Sequence, residues 1–320
     1  ILSSETDSES RALLRSTQTA HQFLVKPCKS EFLIERLERA MDLRKLLKSP
    51  ELQKTISGLP YLPSLPTIYL ELLAAFDDPI ASLETVGDII AKDLSMTSRV
   101  LHLVNSAFFG LPRKVTTPQD AAILLGSNII KSLVIYVKLF FAAPDCAIPG
   151  LSLDDIWKHS TLTASLAREI TKQQGGNRWA LEDAMLGGML HDLGKLLVLD
   201  DRRYLNRIAN RQEADKLTFA EAEYAEYGSS HAEIGAYLLG LWGMPDVVVE
   251  SVALHHRPSQ LPQSEFSTIT AVHVANALLP IEGEEPSKLD AKYLEKIGVT
   301  RFVPNWERMA QPFREKLKNS

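Results

Sequence analysis

Apolar residues recur at helical spacing almost without interruption from Ile68 to Leu279, and no stretch in that span alternates as a strand would. The pattern predicts an all-helical body. Helix starts are marked by Ser82 before LETVGDIIAK, Thr117-Pro118 before QDAAILLG and Ser152 before LDDIWKHS, and helix ends by Gly110, Gly126 and Gly175-Gly176. Residues 1–47 differ. A strand-like start (Ile1, Leu2), a polar segment, a second apolar run (HQFLV) and an amphipathic segment with Leu33, Leu37, Ala40, Met41 and Leu47 on one face give a β-α-β-α rhythm. From Lys48 to Pro66, prolines and Gly58 break any regular element, which predicts a linker over 48–61 leading into the helical body.

The most apolar run, Ala121 to Ala143, reaches membrane-spanning length but carries Asn128, Lys131 and Lys138, so it reads as buried helix and not as a span. Phe108, Phe109, Tyr136, Phe140 and Phe141 at helical spacing read as core, and Trp157, Trp179 and Trp242 as packing residues. His102 reads as a core-edge histidine, and Asn105-Ser106 as groups that cap a helix end.

The chain has 320 residues, enough for about two compact units. Its formal charge of -5 lacks the basic excess of a nonspecific nucleic-acid binder, so no direct nucleic-acid or membrane partner is expected. Cys28 and Cys146 lie far apart in no metal-binding spacing, which fits a reducing cytoplasm. The chain starts at Ile1 with no signal-peptide pattern, and the expectation is that it begins inside a longer protein.

Histidines carry the main chemical signal. Six of the eight fall between His159 and His273, in a region otherwise dominated by apolar helix. In GGMLHDLGKLL, His191 and Asp192 stand side by side, and an imidazole beside a carboxylate suits Fe, Mn or Zn. His159, His231 and His255-His256 lie on other helices that can converge on one bundle interior. The competing reading is a pocket of imidazoles that satisfy one another by buried hydrogen bonds.

These residues resemble the HD superfamily of metal-dependent phosphohydrolases, which implies His159, His191, Asp192, His231, His255 and His256 as candidate metal ligands and Lys195 as a phosphate contact. The chain departs from that pattern at HVANAL, where Asn276 stands in place of the closing aspartate, and at RPSQLP, where the relatives that cleave cyclic dinucleotides carry a Gly-Tyr-Pro segment. Further upstream, Leu65-Pro66, Asp93, Asn105-Ser106 and Ala122 to Gly126 resemble the HDOD domain, the HD-related output domain, over Leu62 to about Pro262. That resemblance implies an all-helical HD-like bundle over 62–280, with parts at 62–145 and 151–280, in a signalling protein that acts by protein interaction without catalysis.

Lys26-Pro27 after a strand-like run resembles the C-terminal part of a two-component receiver domain over 1–47, an α/β fragment in which Ser3 and Lys26 would form the switch. The phosphoacceptor aspartate would lie outside this chain, and a sensor kinase would stand upstream. The expectation is therefore a cytoplasmic response regulator, mainly α, whose output domain binds a protein partner. A metal-dependent phosphodiesterase acting on a cyclic dinucleotide or nucleotide is the alternative, and a nucleotide sensor that binds without cleaving is a third. The tail over 281–320 reads as terminal helices with solvated charged faces, able to pack back on the core or to form a homodimer.

Overall fold

Helix starts in this protein follow a local rule that the side chains obey closely. In the computed structural model, Ser82, Asp93, Thr117 and Ser152 each accept a hydrogen bond from a backbone N–H three residues on, and helices α1 (Leu83–Ala91), α2 (Leu94–Val104), α3 (Pro118–Leu125) and α5 (Leu153–Gln173) begin there. The structure describes residues 2–3, 24–25, 34, 50, 71–72, 75, 82–105, 114–142, 152–199, 201–242, 244–262, 265–281 and 286–318. Two compact units divide the chain, one made of 1–45, 55–142 and 240–243, the other of 46–54, 143–239 and 244–320.

In the first unit, β1 (Leu2–Ser3) pairs in parallel with β2 (Leu24–Val25). The side chains of Ser3 and Lys26, the expected receiver switch, lie outside the described residues, as does the linker over 48–61 apart from Pro50. The apolar run from Ala121 is split by Gly126, whose φ of 82° stops α3 and lets α4 (Ser127–Ala142) start on a new line. Ile129 to Val137 is buried wherever it is described, Tyr136 included, which explains a sequence apolar on all sides. Phe108, Phe109 and the side chains of Phe140 and Phe141 lie outside the described residues. Among the described residues no helix is long and apolar enough to cross a membrane.

The second unit is built of α5, α6 (Arg178–Leu190), α7 (Leu193–Val198), α8 (Arg202–Asp215), α9 (Phe219–Tyr227), α10 (His231–Leu241), α11 (Asp246–Leu254), α12 (Thr268–Leu278), α13 (Ala291–Lys296) and α14 (Val303–Lys318). Helices α5, α6, α11 and α12 form its packed centre. The tail closes this core. Trp306 is fully buried among Leu166, Ile170, Val274 and Leu278, and its Nε1 donates to Gln173 Oε1 at 2.7 Å. Arg314 Nε donates to the Leu278 carbonyl at 2.7 Å and so satisfies a carbonyl left open at the end of α12. The solvated faces expected of the tail are thus only one side of it. Trp179 corrects the sequence expectation of packing. It lies in the first turn of α6 at 64% exposure, whereas Ala184 to Leu190 of the same helix are buried. Trp242 is buried as expected.

Candidate metal centre

Two glycines allow the backbone approaches that assemble the centre. A Cβ on Gly188 of α6 would stand 2.6 Å from the Ala164 Cα of α5, so only a glycine lets these helices pack closely enough to bring the end of α6 against His159. A Cβ on Gly194 of α7 would stand 1.9 Å from the His231 carbonyl oxygen, so Gly194 lets α7 touch the start of α10. His191 and Asp192 form the turn between α6 and α7 and are held between these two contacts. His231 opens α10 because Gly228, at φ 70°, ends α9, and the Ser230 backbone N–H and Oγ both donate to Glu233, at 2.8 and 2.7 Å. His255 and His256 follow the last turn of α11, His159 comes from the second turn of α5 and Asn276 from the last turn of α12.

The structure therefore brings together every ligand candidate expected from the sequence. Asp192 lies at the centre, almost wholly buried. On one side, His191 Nε2 and His159 Nε2 are 3.5 and 3.9 Å from its Oδ2, and they lie 3.1 Å from each other. Asn276 Oδ1 closes this side, 2.9 Å from His159 Nε2. On the other side, His231 Nε2 and His255 Nε2 are 3.1 and 3.9 Å from Asp192 Oδ1, and His256 Nε2 is 3.2 Å from His231 Nε2. Ligand atoms about 2.1 Å from one metal stand about 3.0–3.4 Å apart. The shortest contacts of both groups are near that spacing, and the ligand atoms of each lie within 4.8 Å of one another.

The tautomers follow from the partners, because a carbonyl oxygen only accepts. His191 Nδ1 donates to the Gly188 carbonyl and His255 Nδ1 to the Val252 carbonyl, each at 2.7 Å, so in the neutral rings both Nε2 atoms present lone pairs toward Asp192. His231 Nδ1 faces Glu223 Oε2 at 2.6 Å. A carboxylate or carbonyl on the outer nitrogen is the usual way a metal-ligating imidazole is oriented. The side chain of His255 has a buried Nε2 with no hydrogen-bond partner, and Asp192 Oδ2 accepts no hydrogen bond although Lys195 Nζ stands 3.1 Å away. Lone pairs aimed at a carboxylate, with unanswered atoms among them, suit a cation, so the residues present fit a divalent metal.

Burial and charge shift the titration of the groups in the centre. Burial alone would raise the Asp192 carboxyl, yet His191, Lys195 and His231 hold it well below the usual carboxylate range. Burial also opposes charge on His231, but Glu223 and Asp192 outweigh it and push its pKa up to about 9. His159 is pulled down to about 3 by burial and by His191, and burial likewise lowers His191, His255 and His256.

Lys195, expected to reach for a phosphate, is 4% exposed, and its ammonium is paired with Asp192 and lies 5.5 Å from the centre of the Phe219 ring. It still lines a pocket that leads to the centre, enclosing about 370 Å3 with open solvent at its mouth included. Thr218, Phe219, Leu279, Pro280, Ile281 and Pro286 shape that mouth.

Three features escaped the sequence reading. Glu223 is wholly buried and accepts from His231 Nδ1, from the His231 backbone N–H at 3.0 Å and from Tyr204 OH at 2.6 Å. The signal was there: Phe219, Glu223 and Tyr227 recur every four residues and form one buried stripe of α9. Tyr204 joins that network from α8, stacked on Tyr227 with ring centres 4.9 Å apart. His273, counted among the clustered histidines, is structural, since Nδ1 donates to the His255 carbonyl at 2.7 Å and Nε2 accepts from the Asp290 N–H at 2.9 Å. His102 is exposed on α2, far in sequence from the centre.

The mainly helical fold agrees with the comparisons to known proteins. The HDOD domain model matches residues 62–258, and the chain belongs to the HDOD family. A protein of Treponema pallidum (strain Nichols), described only as uncharacterized, is 25% identical over 240 residues, 70% of this chain and 44% of the relative. The chain spans less than half the length of the curated relatives it matches. Among solved structures, an HDOD domain protein of unknown function from Geobacter sulfurreducens superposes with a TM-score of 0.63 at 21% identity, covering 90% of this chain and 98% of that one. A Shewanella amazonensis protein named as a candidate phosphohydrolase gives 0.59 at 25% identity, covering 85% and 94%.

Proposed function

We propose that the chain is a signalling output module that acts by binding a protein partner, with a divalent metal (Fe, Mn or Zn) in the histidine centre as part of its folded form, and without turnover. The observation that carries this reading is Asn276 Oδ1, 2.9 Å from His159 Nε2. Cleavage of a phosphodiester needs positive charge at both the attacked and the departing oxygen. A neutral amide on the His159 side supplies less ligand charge for a second cation than a carboxylate would. Lys195 is already engaged by Asp192 at 3.1 Å.

A bound ion would supply a Lewis-acid centre for a phosphate oxygen. The residues do the rest: Asp192 and the inner imidazole nitrogens hold the ion, while Glu223 and the Gly188 and Val252 carbonyls fix the rings. Upstream, the reading places a receiver fragment over 1–47, switched through Ser3 and Lys26 by a sensor kinase acting on an aspartate beyond this chain. Phosphorylation would shift the population of conformers that present the output domain through the linker over 48–61. A cytoplasmic setting goes with this arrangement.

A second reading, a metal-dependent phosphodiesterase acting on a cyclic dinucleotide, is favoured by the two imidazole groups flanking one carboxylate. The test is turnover of cyclic dinucleotides by protein loaded with Mn2+, Fe2+ or Zn2+. The proposal expects a rate indistinguishable from that of Asp192→Asn. Hydrolysis that disappears in both Asp192→Asn and Lys195→Ala would contradict it and establish the second reading.

A further inference from the structure

We propose that a single divalent cation sits on the His231 side of Asp192, held by Asp192 Oδ1 and the Nε2 atoms of His231, His255 and His256, while the His159 side is closed by its own hydrogen bonds. The inference rests on the reading of the centre as a metal site and adds where the ion sits and how many there are.

The two sides differ in how well the protein alone satisfies them. On the His159 side, His191 Nε2 carries a lone pair, because Nδ1 is committed to the Gly188 carbonyl. A hydrogen on His159 Nε2 faces that lone pair at 3.1 Å and Asn276 Oδ1 at 2.9 Å. Two acceptors thus share one donor between neutral groups. Left over are His159 Nδ1, on the outer edge of its ring from this cluster, and Asp192 Oδ2, which accepts no hydrogen bond but faces the Lys195 ammonium at 3.1 Å. The positive charge that Oδ2 asks for on this side is already supplied by Lys195.

On the His231 side the protein alone falls short. His255 Nε2 has only a lone pair to offer, is completely buried, and finds no hydrogen-bond partner. His231 Nε2 is aimed at both Asp192 Oδ1, at 3.1 Å, and His256 Nε2, at 3.2 Å. A single hydrogen on His231 answers only part of this and leaves His255 facing Asp192 unanswered, whereas one cation among the four atoms answers every contact. All four ligand atoms lie within 4.8 Å of one another.

Charge favours the same side. Asp192 and Glu223 are both buried, and Glu223 stands directly behind His231, whereas the Lys195 ammonium faces Asp192 Oδ2, on the His159 side. A carboxylate behind a ligating imidazole raises its basicity toward a metal. The His159 side has no such carboxylate behind it. Behind its rings, His191 Nδ1 meets the Gly188 carbonyl and His159 Nδ1 has no hydrogen-bond partner.

Co2+ is the probe, with bound metal counted by elemental analysis and its site read from the visible absorption of the bound ion, on the whole chain freed of metal and then loaded. The expected results are about one Co2+ per chain in the unaltered protein and an affinity at least 10-fold weaker in His255→Ala. His159→Ala should keep its Co2+ and its spectrum, and Asn276→Asp should take up a second equivalent. Should His255→Ala fail to fold by circular dichroism, His256→Gln at a partly exposed position carries the same expectation. Two equivalents in the unaltered chain, or metal lost from His159→Ala and kept by His255→Ala, would overturn the placement while leaving the metal reading standing. No Co2+ in the unaltered chain would overturn both.

Discussion

Two asparagines show how differently the two units use buried polar groups. In the first unit, Asn105 ends α2 with every contact answered: Nδ2 donates to the Leu101 and Val115 carbonyls at 2.8 and 2.7 Å, and Oδ1 accepts from the Val115 N–H at 2.7 Å. In the second unit, Asn276 lies among imidazoles that meet one another and a carboxylate, with His159 Nδ1, Asp192 Oδ2 and His255 Nε2 left without hydrogen bonds. Asn105 gains by this pairing, because each unpaired buried group costs about 1–3 kcal/mol. Several such costs gathered in one place mark a centre shaped for something besides folding.

The sharpest way to break this contrast is to remove the carboxylate that both imidazole groups share. Asp192→Asn takes a buried carboxylate away from Lys195 and the surrounding imidazoles, so a loss of about 3–5 kcal/mol in urea unfolding is expected together with loss of metal uptake. Unchanged metal content would show that Asp192 is not the hub. Next comes Gly194→Ala, whose new methyl would overlap the His231 carbonyl oxygen. It should cost about 3 kcal/mol and weaken metal binding as α7 moves off α10. A stable variant with unchanged affinity would mean that the contact does not position Asp192. Asn105→Ala sharpens the comparison from the other unit. It should cost about 2 kcal/mol through its lost hydrogen bonds while leaving metal content as it was.

pH acts on the metal-free chain through several buried rings at once. Burial lowers His159, His191, His255, His256 and His273, so below about 6.5 the unfolded chain binds protons that the folded chain refuses. Stability then falls with acid by about 1.4 kcal/mol per pH unit for each such histidine until its folded pKa is reached, about 3 for His159. His231 runs the other way: raised to about 9, its contribution is complete below 6.5 and is lost as pH rises through 9. Urea unfolding across this range should find the metal-free chain most stable near pH 6.5. A flat profile would show that these rings are solvated and not buried.

Much of the fold was legible because its signals are local. The caps at Ser82, Thr117 and Ser152 depend on residues three apart in sequence, and the structure forms each of them. Gly126 and Gly175 stop helices where expected, with positive φ. The ligand candidates were legible as chemistry, since histidines and an aspartate in apolar helices have few structural uses. What the sequence hid depends on distant approach. Glu223 stands in EAEYAEY beside Glu221 and Glu226; its four-residue spacing from Phe219 and Tyr227 marks the inward stripe, but that it meets His231 depends on how α9 approaches α10. Trp306 sits in a charged tail, and its burial depends on the face that α5 and α12 leave for α14. Trp179 failed in the opposite sense: a large apolar side chain at the first turn of a helix had nothing to pack on.

The measurement that tests the central claim most directly is anomalous diffraction at the metal absorption edge, on crystals of the whole chain grown with Mn2+ or Zn2+. The account predicts a peak beside Asp192, within coordination distance of Oδ1 and of the inner nitrogens of His231 and His255. A map with no peak among these imidazoles would contradict it and leave the centre as a hydrogen-bonded cluster without a metal.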